Sequence, residues 1–220
     1  MKYSGVTQSA LHWLREQIIT GALPAGAKLT EARLADKLNI SRPPLREALR
    51  RLESDNLAFS KPRRGSYVSY MSREDCLQIY RVREILECTA LELVFTLGPE
   101  ALSPVGEALE SAADRECNFS AEKKDMMDLF DSMSLFHREL VRCSGNAWLQ
   151  RCYRGLHFSL ARYQVMYLLI PGSRAVSLQG HHDIMACLLQ GDLQGAKKRM
   201  KAHLAINRDR LLERIGQACS

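Results

Sequence analysis

At 220 residues the chain is long enough for one large or two ordinary domains, each with its own core, and nothing in it requires disulfides or metal merely to fold. The net charge of +6 is uneven: residues 1–70 carry 12 Lys+Arg against 6 Asp+Glu, and residues 71–220 carry 19 of each. A polyanion-binding N-terminal module joined to a domain with another task is therefore expected, and the bland alternative is a basic solubility patch. Seven cysteines (Cys76, Cys88, Cys117, Cys143, Cys152, Cys187, Cys219) form no CxxC pair, as in a reducing compartment. With no apolar leader and no run of 18 apolar residues, a cytoplasmic protein without membrane contact is expected.

In chain order, Ala10, Leu11, Leu14, Ile18 and Ile19 mark an amphipathic helix over 7–20, ended by Gly21. A turn over 23–27 follows. Thr30 then caps a short helix bearing Ala32, Leu34, Ala35 and Leu38, closed by Asn39. The next helix starts at the N-cap Ser41, with Pro43 and Pro44 in the first turn, where missing N–H groups cost least. Leu45, Ala48, Leu49 and Leu52 form one stripe, and Arg42, Arg46 and Arg50 share another face. One face packs and the other is cationic, as the second helix of a helix-turn-helix requires; the bland alternative is a solvated arginine face. Residues 57–60 and 66–69 read as a hairpin wing around Lys61-Pro62-Arg63-Arg64-Gly65, a cationic tip suited to the phosphate backbone or the minor groove. The DNA-contacting set expected from this pattern is Arg33, Ser41, Arg42, Pro43, Arg46, Arg50, Lys61, Arg63, Arg64 and Gly65.

From residue 72 onward only helical periods occur: 73–97, stopped by Gly98-Pro99; 104–117, capped by Ser103; 121–142; 147–169; 175–189; and 193–215. The expected fold is mainly α, a winged helix-turn-helix over 1–70 followed by an all-α bundle over 71–220.

The segments Pro24 to Glu31, Leu34-Ala35, Ile40 to Glu53 and Arg64 to Val68 resemble the winged helix-turn-helix of GntR-family bacterial transcription regulators. This chain departs at Pro44-Leu45, where many relatives have Pro-Val, and at Asn56, where Gly is common; Asn also accepts the left-handed conformation. Residues 72–215 resemble the FCD effector domain of the FadR-like branch. That resemblance rests on Tyr80 to Glu87, on Phe136 to Leu140 with Ser144-Gly145-Asn146, and on His181, Gly191-Asp192 and His203.

His137 lies on a helix whose apolar face includes Met126, Phe130, Met133 and Leu140, while His181 and His203 sit on two others. The resemblance implies that these three, with an Asp one turn before the first, bind one divalent metal (Zn, Ni or Mn) that helps hold a carboxylate effector. Here that position is Met133, so metal binding is expected to be weak or absent. Asp131 sits about 120° off the His137 face at 100° per residue and does not substitute. His12, His157 and His182 are read as structural. Arg83 and Arg162 lie among apolar neighbours, and the resemblance implies that matching arginines pair with acidic effectors; the alternative is a packed stem whose head meets solvent or Glu87. The expected effector set is Arg83, Met133, His137 and Arg162.

The combined expectation is a homodimeric regulator, a repressor rather than an activator, on a near-palindromic double-stranded operator, modulated by a small acidic metabolite. The rivals are a metal-dependent hydrolase built on the histidines and a DNA-binding dimer without an effector.

Overall fold

The computed structural model describes residues 4–117 and 126–218, in two compact units. One comprises residues up to Met71 with Leu156–Arg162, and the other Ser72–Gly155 with Tyr163 onward.

In the first unit, α1 (Ser4–Ile19), α2 (Glu31–Leu38) and α3 (Arg42–Ser54) enclose a core with Leu11, Leu14, Ile18, Leu45, Leu52 and Leu57 almost fully buried. Truncating one such leucine to Ala costs roughly 2–5 kcal/mol. The expected hairpin is present as β2 (Ala58–Lys61) and β3 (Gly65–Val68), with Phe59 opposite Tyr67 and Lys61 opposite Gly65. A third strand, β1 (Lys28–Leu29), pairs with β3 from the other side, giving the order β1-β3-β2. Gly26, just before it, sits at φ +76, where a Cβ would approach the Tyr70 ring to 2.9 Å, so both backbone and neighbour call for glycine. Asn39 closes α2 in the left-handed region at φ 51, and Asn56 adopts φ 58 after α3.

Two expected caps in this unit lack their hydrogen bond. Thr30 holds the extended backbone of an N-cap before α2, yet its hydroxyl makes no capping bond. Ser41 holds the extended backbone of an N-cap, yet its hydroxyl makes no capping hydrogen bond. A capping oxygen accepts from the second or third N–H of the helix. Those residues are Pro43 and Pro44, which have none.

The second unit contains α4 (Arg73–Leu97), a 3-10 turn (Pro99–Leu102), α5 (Ser103–Cys117), α6 (Met126–Cys143), most of α7 (Ala147–Leu168), α8 (Ser173–Leu189) and α9 (Leu193–Ala218). Helix α4 packs along α9, which also meets α8, while α5 packs on α6. Ser72 caps α4 by accepting from Asp75 N at 3.0 Å, and Asn146 caps α7 by accepting from Trp148 N and Leu149 N. Ser103 does not cap: the 3-10 turn runs straight into α5, so Ser103 is already helical at φ −52. The expected helix start at 121 lies outside the described residues, as does Cys219; Cys76, Cys88, Cys143, Cys152 and Cys187 are free thiols. No described helix is long and apolar enough to cross a membrane.

Candidate functional site

The sequence-derived DNA set lies within the first unit, and every member is exposed. The stripe Leu45, Ala48, Leu49, Leu52 is buried, which turns Arg42, Arg46 and Arg50 outward. Arg46 Nε donates to Glu31 Oε2 at 2.8 Å. At the wing tip Arg63 adopts φ 61, the Tyr67 hydroxyl donates to the Arg64 carbonyl, and Lys61 Nζ stands 5.5 and 5.2 Å from the Phe59 and Tyr67 ring centres.

In the second unit, α4, α6, α8 and α9 bring a polar cluster into the core. Arg83 is 1% exposed and Glu87, one turn later, is fully buried. Arg83 Nε donates to Glu87 Oε1 at 2.5 Å, the Tyr153 hydroxyl donates to the same oxygen at 3.0 Å, and Glu87 Oε2 holds His137 Nδ1 at 2.7 Å. One carboxylate therefore serves three partners, which a buried charge needs. Burial opposes the charge of Arg83, but Glu87, Tyr153 and Tyr80 outweigh it and push its pKa further up. Burial likewise pushes the Tyr80 and Tyr153 phenols up.

His137, His181 and His203 converge, with one potential ligand atom from each lying within 4.8 Å of the others. His137 Nε2 and His181 Nε2 face each other at 2.9 Å, Phe136 stacks on His181 with ring centres 4.4 Å apart, and Asn207 Nδ2 reaches His203 Nε2 at 3.2 Å. Gly180 makes room for His203, whose Nδ1 would lie 2.4 Å from a Cβ there. All three imidazoles are held well below the usual histidine pKa, by burial first; the positive charge of Arg83 contributes to each, and the neighbouring imidazoles add to it at His181 and His203. Because the His137 Nδ1–H is given to Glu87, its Nε2 is the acceptor and His181 donates through Nε2. That leaves His181 Nδ1 buried without a partner among the described residues. Neutral, buried nitrogen donors on three helices fit a borderline divalent metal, though without an anionic ligand.

A cavity of about 20 Å³ adjoins this cluster, lined among others by Arg83, Met133, His137, Gln164, Tyr167 and Asn207. Two atoms of its lining residues, Arg83 Nη2 and Asn207 Oδ1, are buried without a partner among the described residues. The structure thus brings Arg83, Met133 and His137 to one wall. It does not bring Arg162 there. Arg162 belongs to the first unit and donates through Nη1 to the Ser69 carbonyl at 2.7 Å. Asp131 is turned away toward Arg138 Nη1 at 3.1 Å, and His12 and His182 are exposed. Sequence reasoning gave Glu87 too small a part and missed Asn207. Each stands four residues after a singled-out residue, Arg83 or His203, on the same helix face, which was the available signal.

Two family models match the chain: "FCD domain" over residues 78–206 and "Bacterial regulatory proteins, gntR family" over residues 7–68. The chain is 29% identical over 207 residues to the HTH-type transcriptional regulator McbR of Escherichia coli strain K12, covering 90% of this chain and 88% of that one. It is 28% identical over 193 residues to a protein named "Probable D-xylose utilization operon transcriptional repressor" from Paenarthrobacter nicotinovorans, covering 86% and 81%. The solved structure of E. coli McbR/YncC shares the fold with a TM-score of 0.73 at 24% identity, over 95% of this chain and 98% of that one. These relatives are named as regulators, not enzymes, and the hydrolase alternative finds no support among them.

Proposed function

This chain belongs to the GntR family of bacterial transcription regulators and carries an FCD domain, and we propose that it is a homodimeric repressor whose hold on a near-palindromic operator is loosened by a small carboxylate. Helix α3 would enter the major groove, its buried stripe setting its angle and Arg42, Arg46 and Arg50 facing the DNA. Pro43 and Pro44 remove backbone donors from the start of α3, so phosphate contacts there fall to side chains, and the exposed Ser41 hydroxyl is not spent on capping. Lys61, Arg63, Arg64 and Gly65 would meet the backbone or the minor groove.

The observation that supports the effector reading is Arg83 Nη2: a buried guanidinium nitrogen on a cavity-lining residue, without a hydrogen-bond partner among the described residues. Leaving such a donor unsatisfied is costly, and a carboxylate oxygen is its natural complement. His137, His181 and His203 would hold a divalent ion such as Zn, Ni or Mn, weakly because Met133 stands where a carboxylate is expected. When bound, the ion would supply a Lewis-acidic contact for an effector oxygen. An acid lowers operator affinity only if it binds the DNA-competent and DNA-incompetent arrangements unequally.

The test begins with selection of duplexes by the full-length protein from a random library at fixed salt. A panel of small carboxylic and sugar acids is then screened by thermal shift and by displacement of the selected duplex. An acid that both raises the melting temperature and releases the duplex is expected. Failure to enrich any sequence would contradict operator recognition, and an acid response unchanged in Arg83→Lys would contradict the anchoring role.

A further inference from the structure

Four exposed arginines occupy the helix-turn-helix face: Arg33 on α2, and Arg42, Arg46 and Arg50 on α3. Among the described residues, Arg46 is the one of the four whose guanidinium is held by a carboxylate, through the 2.8 Å bond from Nε to Glu31 Oε2. The pair is open to solvent, with the two side chains 58% and 38% exposed. Exposed pairs of this kind add little to stability. Glu31 also has an ordinary reason to be where it is, since it is the first residue of α2 and an acidic group there complements the helix dipole.

The atom used is the informative part. A guanidinium reads guanine by presenting two N–H groups side by side to O6 and N7. The contact with Glu31 occupies the Nε edge and leaves both Nη groups without an acceptor among the described residues. It also spans two helices, residue 31 to residue 46, so the direction of the fork is tied to the packing of α2 on α3. Among the described residues Arg33, Arg42 and Arg50 have no such tether, and they suit mobile contacts with phosphate.

We infer that Glu31 is a positioning residue for base readout, fixing the Arg46 guanidinium so that its two Nη groups face a guanine, a specificity role that rests on the proposed entry of α3 into the major groove. Two opposing effects follow from one side chain. Its negative charge repels the phosphate backbone and weakens binding to every duplex. Its hold on Arg46 restricts the orientations that would accept a wrong base, so discrimination improves at the cost of general affinity.

The test uses full-length protein, the duplex selected by the wild type, and a matched duplex with the guanine contacted by Arg46 replaced, with affinities read by fluorescence anisotropy at two salt concentrations. Arg46→Ala locates that guanine as the position whose preference is lost. Glu31→Ala should tighten binding to the substituted duplex about twofold and lower discrimination at that position roughly three- to tenfold. Glu31→Asp keeps the charge and the dipole contact but shortens the reach, so it should lose discrimination without the gain in general affinity. In an Arg46→Ala background, Glu31→Ala should leave discrimination unchanged. The inference is overturned if discrimination at that position survives in both Glu31 variants, or if Glu31→Ala lowers discrimination equally at positions that Arg46→Ala leaves unrelaxed. If Arg46→Ala relaxes no position, base reading by α3 fails as well, which separates that outcome from failure of the Glu31 role alone. Both variants should melt within a few degrees of the wild type, because the pair is exposed.

Discussion

Replacing Met133 with Asp tests whether the three histidines act as one site. Met133 is 5% exposed and lies one helical turn before His137 on the cavity wall. Without metal, the new side chain removes buried apolar volume and places a carboxylate where water is scarce; Arg83 Nη2 can satisfy part of it, since that nitrogen has no other partner. The net cost is on the order of 2–3 kcal/mol. At about 2–4 °C per kcal/mol for a protein of this size, melting in chelator should fall by roughly 5–10 °C. With metal most of that cost is offset. An ion at a hundred times its dissociation constant adds about 2.7 kcal/mol, whereas an ion at its dissociation constant adds only about 0.4 kcal/mol. A carboxylate that improves affinity a hundredfold therefore turns a shift of about 1 °C in the natural protein into one of roughly 5–11 °C in the variant at the same metal concentration. Thermal melts with chelator and with Zn, Ni or Mn, alongside elemental analysis, measure both numbers. A metal-induced shift no larger in the variant than in the natural protein would refute a convergent site, and one ion per chain surviving mild chelation of the natural protein would refute weak binding.

Three other outcomes are expected. Arg83→Lys keeps the charge but loses the planar fork, so the acid concentration needed to release the selected duplex should rise about tenfold while duplex affinity without acid is unchanged; loss of duplex binding without acid would point to a folding role through Glu87 instead. Arg63→Gly removes a side chain from a left-handed backbone position (φ 61), so the first unit should gain roughly 1 kcal/mol in chemical denaturation. Affinity for all duplexes should fall and the salt slope should shrink by about one, and sequence-selective loss would count against a backbone contact. Finally, the three buried imidazoles are held below the ordinary histidine pKa by burial, so the unfolded chain binds their protons first as pH falls. Stability of metal-stripped protein should be level above about pH 7 and decline below about 6.5, by up to roughly 1.4 kcal/mol per pH unit for each imidazole; an unchanged urea midpoint between pH 7.5 and 5.5 would contradict the burial of neutral rings.

The helix-turn-helix was legible because each of its helices buries one stripe: Leu45, Ala48, Leu49 and Leu52 repeat at the helical period, and all four are buried. Strand β1 was not, since two residues carry no period to read. The Ser41 cap was not legible from residue type alone, because capping depends on the helix N–H groups the oxygen meets, and Pro43 and Pro44 have none. The buried site was half legible. His137, His181 and His203 could be matched to three helices, but periodicity reports that a residue is buried, not what covers it. Arg162 illustrates the difference: it is buried as its neighbours suggest, yet it caps the Ser69 carbonyl in the first unit while Gln164, two residues on, lines the cavity.

The size of that cavity bears on the speed of regulation. About 20 Å³ holds roughly one water molecule, far less than any acid with several heavy atoms. A carboxylate bound here, as proposed, would enter only after Met133, Leu168 or another wall residue had moved, so its capture would be gated by a motion of the protein. At rising concentration the observed association rate should level off at the opening rate, and the measured dissociation constant should exceed the intrinsic one by the inverse of the open fraction. The same closure slows escape. A regulator built this way responds to a sustained supply of its metabolite and is insensitive to a pulse shorter than the interval between openings.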